Sequence, residues 1–323
     1  MREAVFIKKN TPRWQQFEEL LASRNRDNPD QLAGLFVQLT DDLSYARTHY
    51  PDSQTTAYLN TLAAKVHQSI YRNRKEERSR FVHFWRYELP ALFYSAHRQL
   101  LYSALIFGLS VLIGVVSTAH DERFPRLILG DAYVNMTLEN IRNGDPMGVY
   151  KSQGRFDMFG LITFNNVMVS FWTFVMGIFF SFGTAYLLLR NGIMLGAFQY
   201  FFHTKGLLYT SALSIWIHGT LEISAIIIAG CAGLVMGNSL LFPGTYSRVE
   251  SLKHGAVKGL KIIIGLVPVF IVAGFLESYV TRLTAWPDWA KLLVIGASAA
   301  FITWYFIIYP ILLHRHADPS GQD

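Results

Sequence analysis

The sequence predicts an all-α, polytopic membrane protein that carries an N-terminal cytoplasmic helical domain. Three observations lead there. Apolar residues gather in runs of about 20, the length needed to cross a bilayer as a helix. The 323 residues are 51% hydrophobic and 15% aromatic, and only 16% are charged, against the usual quarter. About half of the 29 Lys and Arg residues precede Leu100, where the first long apolar run begins. That asymmetry, under a formal net charge of +6, is the one the positive-inside rule reads. The opening MREAVFIKKN has no apolar core ahead of its charges, so no signal peptide is expected and the first membrane helix directs insertion. The single cysteine, Cys231, excludes an intrachain disulfide and a Cys-x-x-Cys zinc framework.

Residues 1–86 read as the cytoplasmic domain, ending in a basic juxtamembrane segment. Trp14, Phe17 and Leu21 fall on one helical stripe. Leu32, Phe36, Leu39 and Leu43 form a second, and Leu59, Leu62, Val66 and Ile70 a third. Pro51-Asp52-Ser53 interrupts the series, with Ser53 placed to cap the third helix. The basic stretch Arg72–Arg86 runs into Phe81, Phe84, Trp85 and Phe93, the composition of an anchor at anionic lipid headgroups. No nucleic-acid-binding motif accompanies it, so the partner expected there is the lipid bilayer and not nucleic acid.

Residues 87–313 form the transmembrane domain, read as about six helices. Leu100–Ala119 is the first span; Arg98 before it puts the N-terminus inside. An external amphipathic loop follows near residues 124–159, with a short helix over Leu127–Ile141 ended by Asn143-Gly144-Asp145-Pro146. Leu161–Leu189 returns inward and closes at Arg190-Asn191-Gly192. Ile193–His203 is short for a span and Leu207–Gly237 is long for one. The pattern predicts a short tilted helix, a turn at Thr204-Lys205-Gly206, and a long helix broken near Gly219. The alternative is a re-entrant hairpin over Ile193–Ile217. Arg248, Lys253, Lys258 and Lys261 mark a cytoplasmic loop. Ile262–Tyr279 then spans outward and Leu292–Leu313 comes back. Trp286-Pro287-Asp288-Trp289 is the external turn between them. Residues 314–323 are a cytoplasmic tail, which puts both termini in the cytoplasm of a multi-pass protein.

The chemistry centres on Trp216–Gly237. His218 and Glu222 lie four residues apart, hence on one face. A charged side chain at bilayer depth costs about 2.5–3.5 kcal/mol on insertion scales, so it faces the bundle interior and is answered there. Asn165, Asn166 and Asn191 are the candidate partners, and with His218 and Glu222 they define an intramembrane polar site. It reads either as a structural hydrogen-bonded pair or as an ion or proton pathway. Glu277, near an outer membrane end and close to Arg282, reads as a surface or interfacial ion pair. Ala225, Ala229, Gly233 and Gly237, with Gly230 beside them, form a small-residue seam for close helix packing, within the chain or in a homodimer. His-x-x-x-Glu is not the zinc-protease motif, and a metal site would need ligands from other helices, His203 being the obvious spare. No metal, cofactor or catalytic residue is expected. No Walker A loop, dinucleotide fingerprint or Gly-x-Ser-x-Gly elbow is present.

The run Asn165-Asn166, Gly177, Gly183, Asn191-Gly192, Gly196, His218-Gly219-x-x-Glu222, Ala229-Gly230 and Gly233 resembles the stage II sporulation protein M family, integral membrane proteins of unassigned activity. Trp14, Ala46-Arg47, Tyr50-Pro51 and Tyr71-Arg72 fit its non-sporulating members. The resemblance implies a non-enzymatic scaffold or accessory subunit in the bacterial inner membrane. Its namesake belongs to a complex that remodels peptidoglycan during engulfment, and longer members are associated with MoxR-type ATPases. The partners implied are a second copy, in a homodimer or other homo-oligomer, and other membrane proteins of an envelope complex. The alternative function is a channel or transporter built on a protonatable Glu222/His218 site.

Overall fold

The computed structural model describes residues 2–22, 29–72, 79–148, 155–283 and 286–317. Among these there is no strand, and two compact units divide after Arg80. The first holds three helices, α1 (Glu3–Ala22), α2 (Pro29–His49) and α3 (Gln54–Arg72). Their stripes meet as the periodicity requires: Phe6, Trp14, Phe17, Leu39, Leu43, Ala46, Leu59 and Leu62 form one buried cluster. Asp42 ties α1 to α2 by accepting from Trp14 Nε1 at 2.9 Å and pairing with Arg13 at 3.0 Å. Ser53 Oγ accepts from the Thr56 amide at 3.2 Å, the cap expected of it. Residues 73–78 of the basic stretch and 318–323 of the tail lie outside the described residues, as do the side chains of Leu21, Leu32, Val66 and Ile70.

The second unit begins with α4 (Ser79–His83), whose last residues enter it, a π-helical turn at Phe84–Glu88 and α5 (Leu89–Ser95). Trp85 packs at the edge of the main core, and the Trp85 and Arg86 carbonyls accept from Tyr305 and Tyr309 hydroxyls at 2.6 and 2.9 Å. Glu88 pairs with Lys261. The long helices follow: α6 (His97–His120), two short ones, α7 (Phe124–Leu129) and α8 (Asp131–Arg142), then α9 (Arg155–Val175), α10 (Phe182–Thr204), α11 (Leu208–Leu241), α12 (Arg248–Phe275), α13 (Asp288–Thr303) and α14 (Tyr309–Ala317). Five segments are long and apolar enough to cross a membrane: His97–His120, Phe156–Ile178, Leu208–Leu241, Arg248–Val280 and Asp288–Arg315. The large apolar side chains Leu105, Leu109, Leu112 and Val116 face outward from α6, while Ser103, Phe107, Ser110 and Gly114 face inward. This inversion of the soluble pattern suits a lipid solvent.

Three expectations about the middle of this unit are corrected. Leu161–Leu189 is two helices, not one. The chain turns at Phe179–Ser181, where Phe180 and Ser181 hold φ of 52° and 69°. Phenylalanine gives no turn signal and a single serine gives only a weak one, so the apolar run hid the break. Arg190-Asn191-Gly192 is not a turn but the middle of α10, a 23-residue helix. Asn191 donates to the Leu187 carbonyl of its own helix at 2.8 Å. Gly192 and Gly196 let α10 lie against α6: a Cβ on either would strike the Phe107 or Val111 carbonyl. The third correction concerns α11, which runs unbroken through Gly219 for 34 residues, about 51 Å at 1.5 Å per residue. The turn at Lys205-Gly206 is where it was expected, with Gly206 at φ 72°. The helix expected over Leu127–Ile141 is two pieces, divided at Gly130 with φ 86°.

Helix α11 is the axis of the unit and packs against α6, α9, α10, α12 and α13. Its small-residue seam is consumed internally. Ala225 and Ala229 are fully buried in the main core. A Cβ on Gly230 would strike Ser103 and Leu188, one on Gly233 Thr184 and the Thr173 carbonyl, and one on Gly237 Ser181. A homodimer through this stripe would have no free face to use.

Candidate functional site

The polar site is assembled from three helices. His218 and Glu222 project from α11, one turn apart. Asn166 on α9 donates from Nδ2 to Glu222 Oε1 at 2.6 Å. The third contribution comes from the end of α12, where the helix loosens into a π-turn, Leu276–Val280. Such turns occur frequently at functional sites. This one carries Glu277 inward, to 3.8 Å from His218 Nε2 with its side chain 13% exposed. Glu277 is therefore part of the site and not a surface group. One ligating atom from each of His218, Glu222 and Glu277 lies within 4.8 Å of the other two.

The same π-turn positions Thr281, whose amide reaches back to the Leu276 carbonyl at 2.9 Å. The Thr281 hydroxyl donates to that carbonyl at 3.2 Å, and its oxygen lies 3.0 Å from His218 Nδ1. With the hydroxyl proton so committed, the oxygen accepts from Nδ1–H. That arrangement corresponds to the Nδ1–H tautomer, in which the Nε2 lone pair is turned towards the carboxylates.

A cavity of about 400 Å³ opens beside the cluster, between α9, α10 and α11, with α7 and α8 over it. Glu222 and His218 form part of its wall, together with Asn165, Asn166 and Asn191, and Gly219 leaves room where a side chain would intrude. Most of the remaining wall is apolar, the usual make-up of a binding cavity. A second cavity, of about 780 Å³, shares Asn165 and Asn191 and reaches Arg190. Tyr133 of α8 stands at the first cavity, and burial pushes its phenol above the ordinary value, so it is a neutral hydroxyl there.

Of the five residues the sequence assigns to the site, the structure joins His218, Glu222 and Asn166 in one cluster and puts Asn165 and Asn191 on the cavity wall. His203, at the end of α10, is not in the cluster. Sequence reasoning missed Thr281 and misplaced Glu277. A signal did exist: Glu222 and Glu277 are the only two carboxylates inside expected spans, and two buried acids in one bundle have reason to meet. Two ionised carboxylates this close repel by at least about 3 kcal/mol at an effective dielectric of 20, a cost that a proton shared between them or a bound cation removes.

Comparison with known families agrees with the two units. Residues 4–72 match a domain of unknown function, DUF8413. No curated protein and no solved structure matches the chain. Residues 103–282, more than half of the chain, match the model of stage II sporulation protein M. That stretch contains Asn166, His218, Glu222, Glu277 and Thr281, the whole of the polar cluster. The chain belongs to the stage II sporulation protein M family.

Proposed function

We propose that this protein is a non-enzymatic membrane subunit of a cell-envelope complex, and that it works by holding a cation at the buried His218–Glu222–Glu277 cluster, as a channel or transporter does. One observation carries the reading: Glu222 belongs at once to the charged cluster and to the wall of a cavity. A side chain present only to lock helices together has no need of a chamber beside it. In the same reading the protein is a multi-pass component of the bacterial inner membrane with both termini cytoplasmic. The basic residues Arg98, Arg248, Lys253, Lys258 and Lys261 support that orientation. Five segments are long and apolar enough to cross, and in this reading the 23-residue α10 makes a sixth crossing that returns the chain to the side it started from. Association with a second copy would use the outer faces of the bundle, since the small-residue seam is occupied.

The test is cation flux into liposomes holding the purified protein, followed with dyes sensitive to protons and to divalent ions. The expected result is flux above protein-free liposomes and at least a tenfold loss in Glu222→Gln. Wild-type flux equal to that of empty liposomes would overturn the reading. A second reading, the passive scaffold, draws support from the internal bonds Asn166 to Glu222 and His218 to Thr281, which hold α9, α11 and α12 together without any ligand. It predicts no flux, and loss of complex assembly in Glu222→Gln.

A further inference from the structure

We infer that His218 Nε2, Glu222 and Glu277 form a binding site for one divalent transition-metal ion, with Zn²⁺ the best fit; this rests on the reading of the cluster as a cation site and names the cation. Three independent features converge. The first is charge. A metal binds the deprotonated form of its ligands, and two carboxylates with a neutral imidazole then sum to minus two, so one divalent ion leaves the buried site neutral, whereas a monovalent ion leaves it charged in a low-dielectric bundle. The second is geometry. A tetrahedral ion with bonds of about 2.0–2.1 Å brings its ligand atoms to about 3.3 Å of one another. The three atoms already lie within 4.8 Å, and His218 to Glu277 is 3.8 Å, so side-chain rotation closes the difference.

The third feature is the supporting shell. A ligating histidine donates its other N–H to a neighbour, which aims the free lone pair. Thr281 does this for His218 through Nδ1. Asn166 holds Glu222 Oε1 in the same manner. The mixed nitrogen and oxygen donor set disfavours Ca²⁺ and Mg²⁺, which take oxygen ligands, and suits Zn²⁺ or Mn²⁺. Three protein ligands leave a tetrahedral ion one open position. Because His218 and Glu222 line the cavity, that position has access to whatever the cavity admits.

The experiment uses the full chain, purified in detergent, stripped with EDTA, then titrated with ZnCl₂ alone. Bound zinc is read by elemental analysis after dialysis and by the zinc-dependent shift in melting temperature. The expected result is about one tightly held zinc per chain and a raised melting temperature. At least a tenfold weaker affinity is expected in Glu277→Gln and in His218→Ala, and no change in Cys231→Ser, which removes the only thiol. Zinc bound equally well by wild type and by both site variants would overturn the inference. So would a stripped wild type that neither retains zinc nor shifts its melting temperature, a readout that holds even if a variant fails to fold. Proton flux from such a zinc-free protein would overturn this inference while leaving the cation-site reading in place. Zinc bound at the cluster in a protein that moves no cation would support it and remove transport.

Discussion

At the scale of single residues, the site is a set of polar groups that each depend on another. Asn166 gives Glu222 its only hydrogen-bond donor from α9 among the described contacts. Asn166→Ala should therefore leave a buried carboxylate short of a partner and cost about 1–3 kcal/mol, measured by reversible unfolding in mixed micelles. The two glycines nearest the argument behave oppositely. Gly233 has the Thr173 carbonyl and Thr184 against it, so Gly233→Ala forces helices apart and should lower the melting temperature and yield. Gly219 meets nothing closer than Ile215 at 3.5 Å, so Gly219→Ala should fold as well as wild type or gain up to about 1 kcal/mol of helix propensity. The same change puts a methyl group into the cavity wall. Lost ligand binding with undiminished stability would mark Gly219 as space kept for function.

At the scale of elements, the hairpin of α10 and α11 decides the topology. The pattern of apolar runs located α6, the apolar stretch of α11 and the turn at Lys205-Gly206 because those boundaries carry charges or a glycine. It read Arg248–Lys261 as a loop because that stretch is basic, whereas α12 already begins at Arg248. It failed at Phe179–Ser181 because two aromatic residues and a serine turn the chain there with no local signature. It failed again at Asn191-Gly192, where a turn-like pair serves close packing against Ser110 instead. In lipid, small residues mark helix contacts as often as they mark turns, and spacing alone does not separate the two uses. The resulting topology is directly testable. Cysteines placed at Phe180 and at Gly206 in a Cys231→Ser background should react with membrane-impermeant maleimide from opposite sides of the membrane. Labelling of both from one side would restore the re-entrant alternative.

At the scale of the whole molecule, the fold class and the family were legible from the sequence, since both rest on long apolar runs and on motifs spread along the chain. Half of the site was legible as well, because His218 and Glu222 sit one turn apart on a single helix. The other half was not: Glu277 is 55 residues further on and reaches the site only through a π-turn that no residue pattern announces. The central claim is that these two carboxylates, from α11 and α12, answer each other in one site. The most direct test is a double-mutant cycle on unfolding free energy with Glu222→Gln, Glu277→Gln and the pair. The account predicts a coupling of about 0.5–3 kcal/mol, as found for groups sharing one network. Effects that simply add, within about 0.5 kcal/mol, would show that the two groups do not share a site and would contradict it.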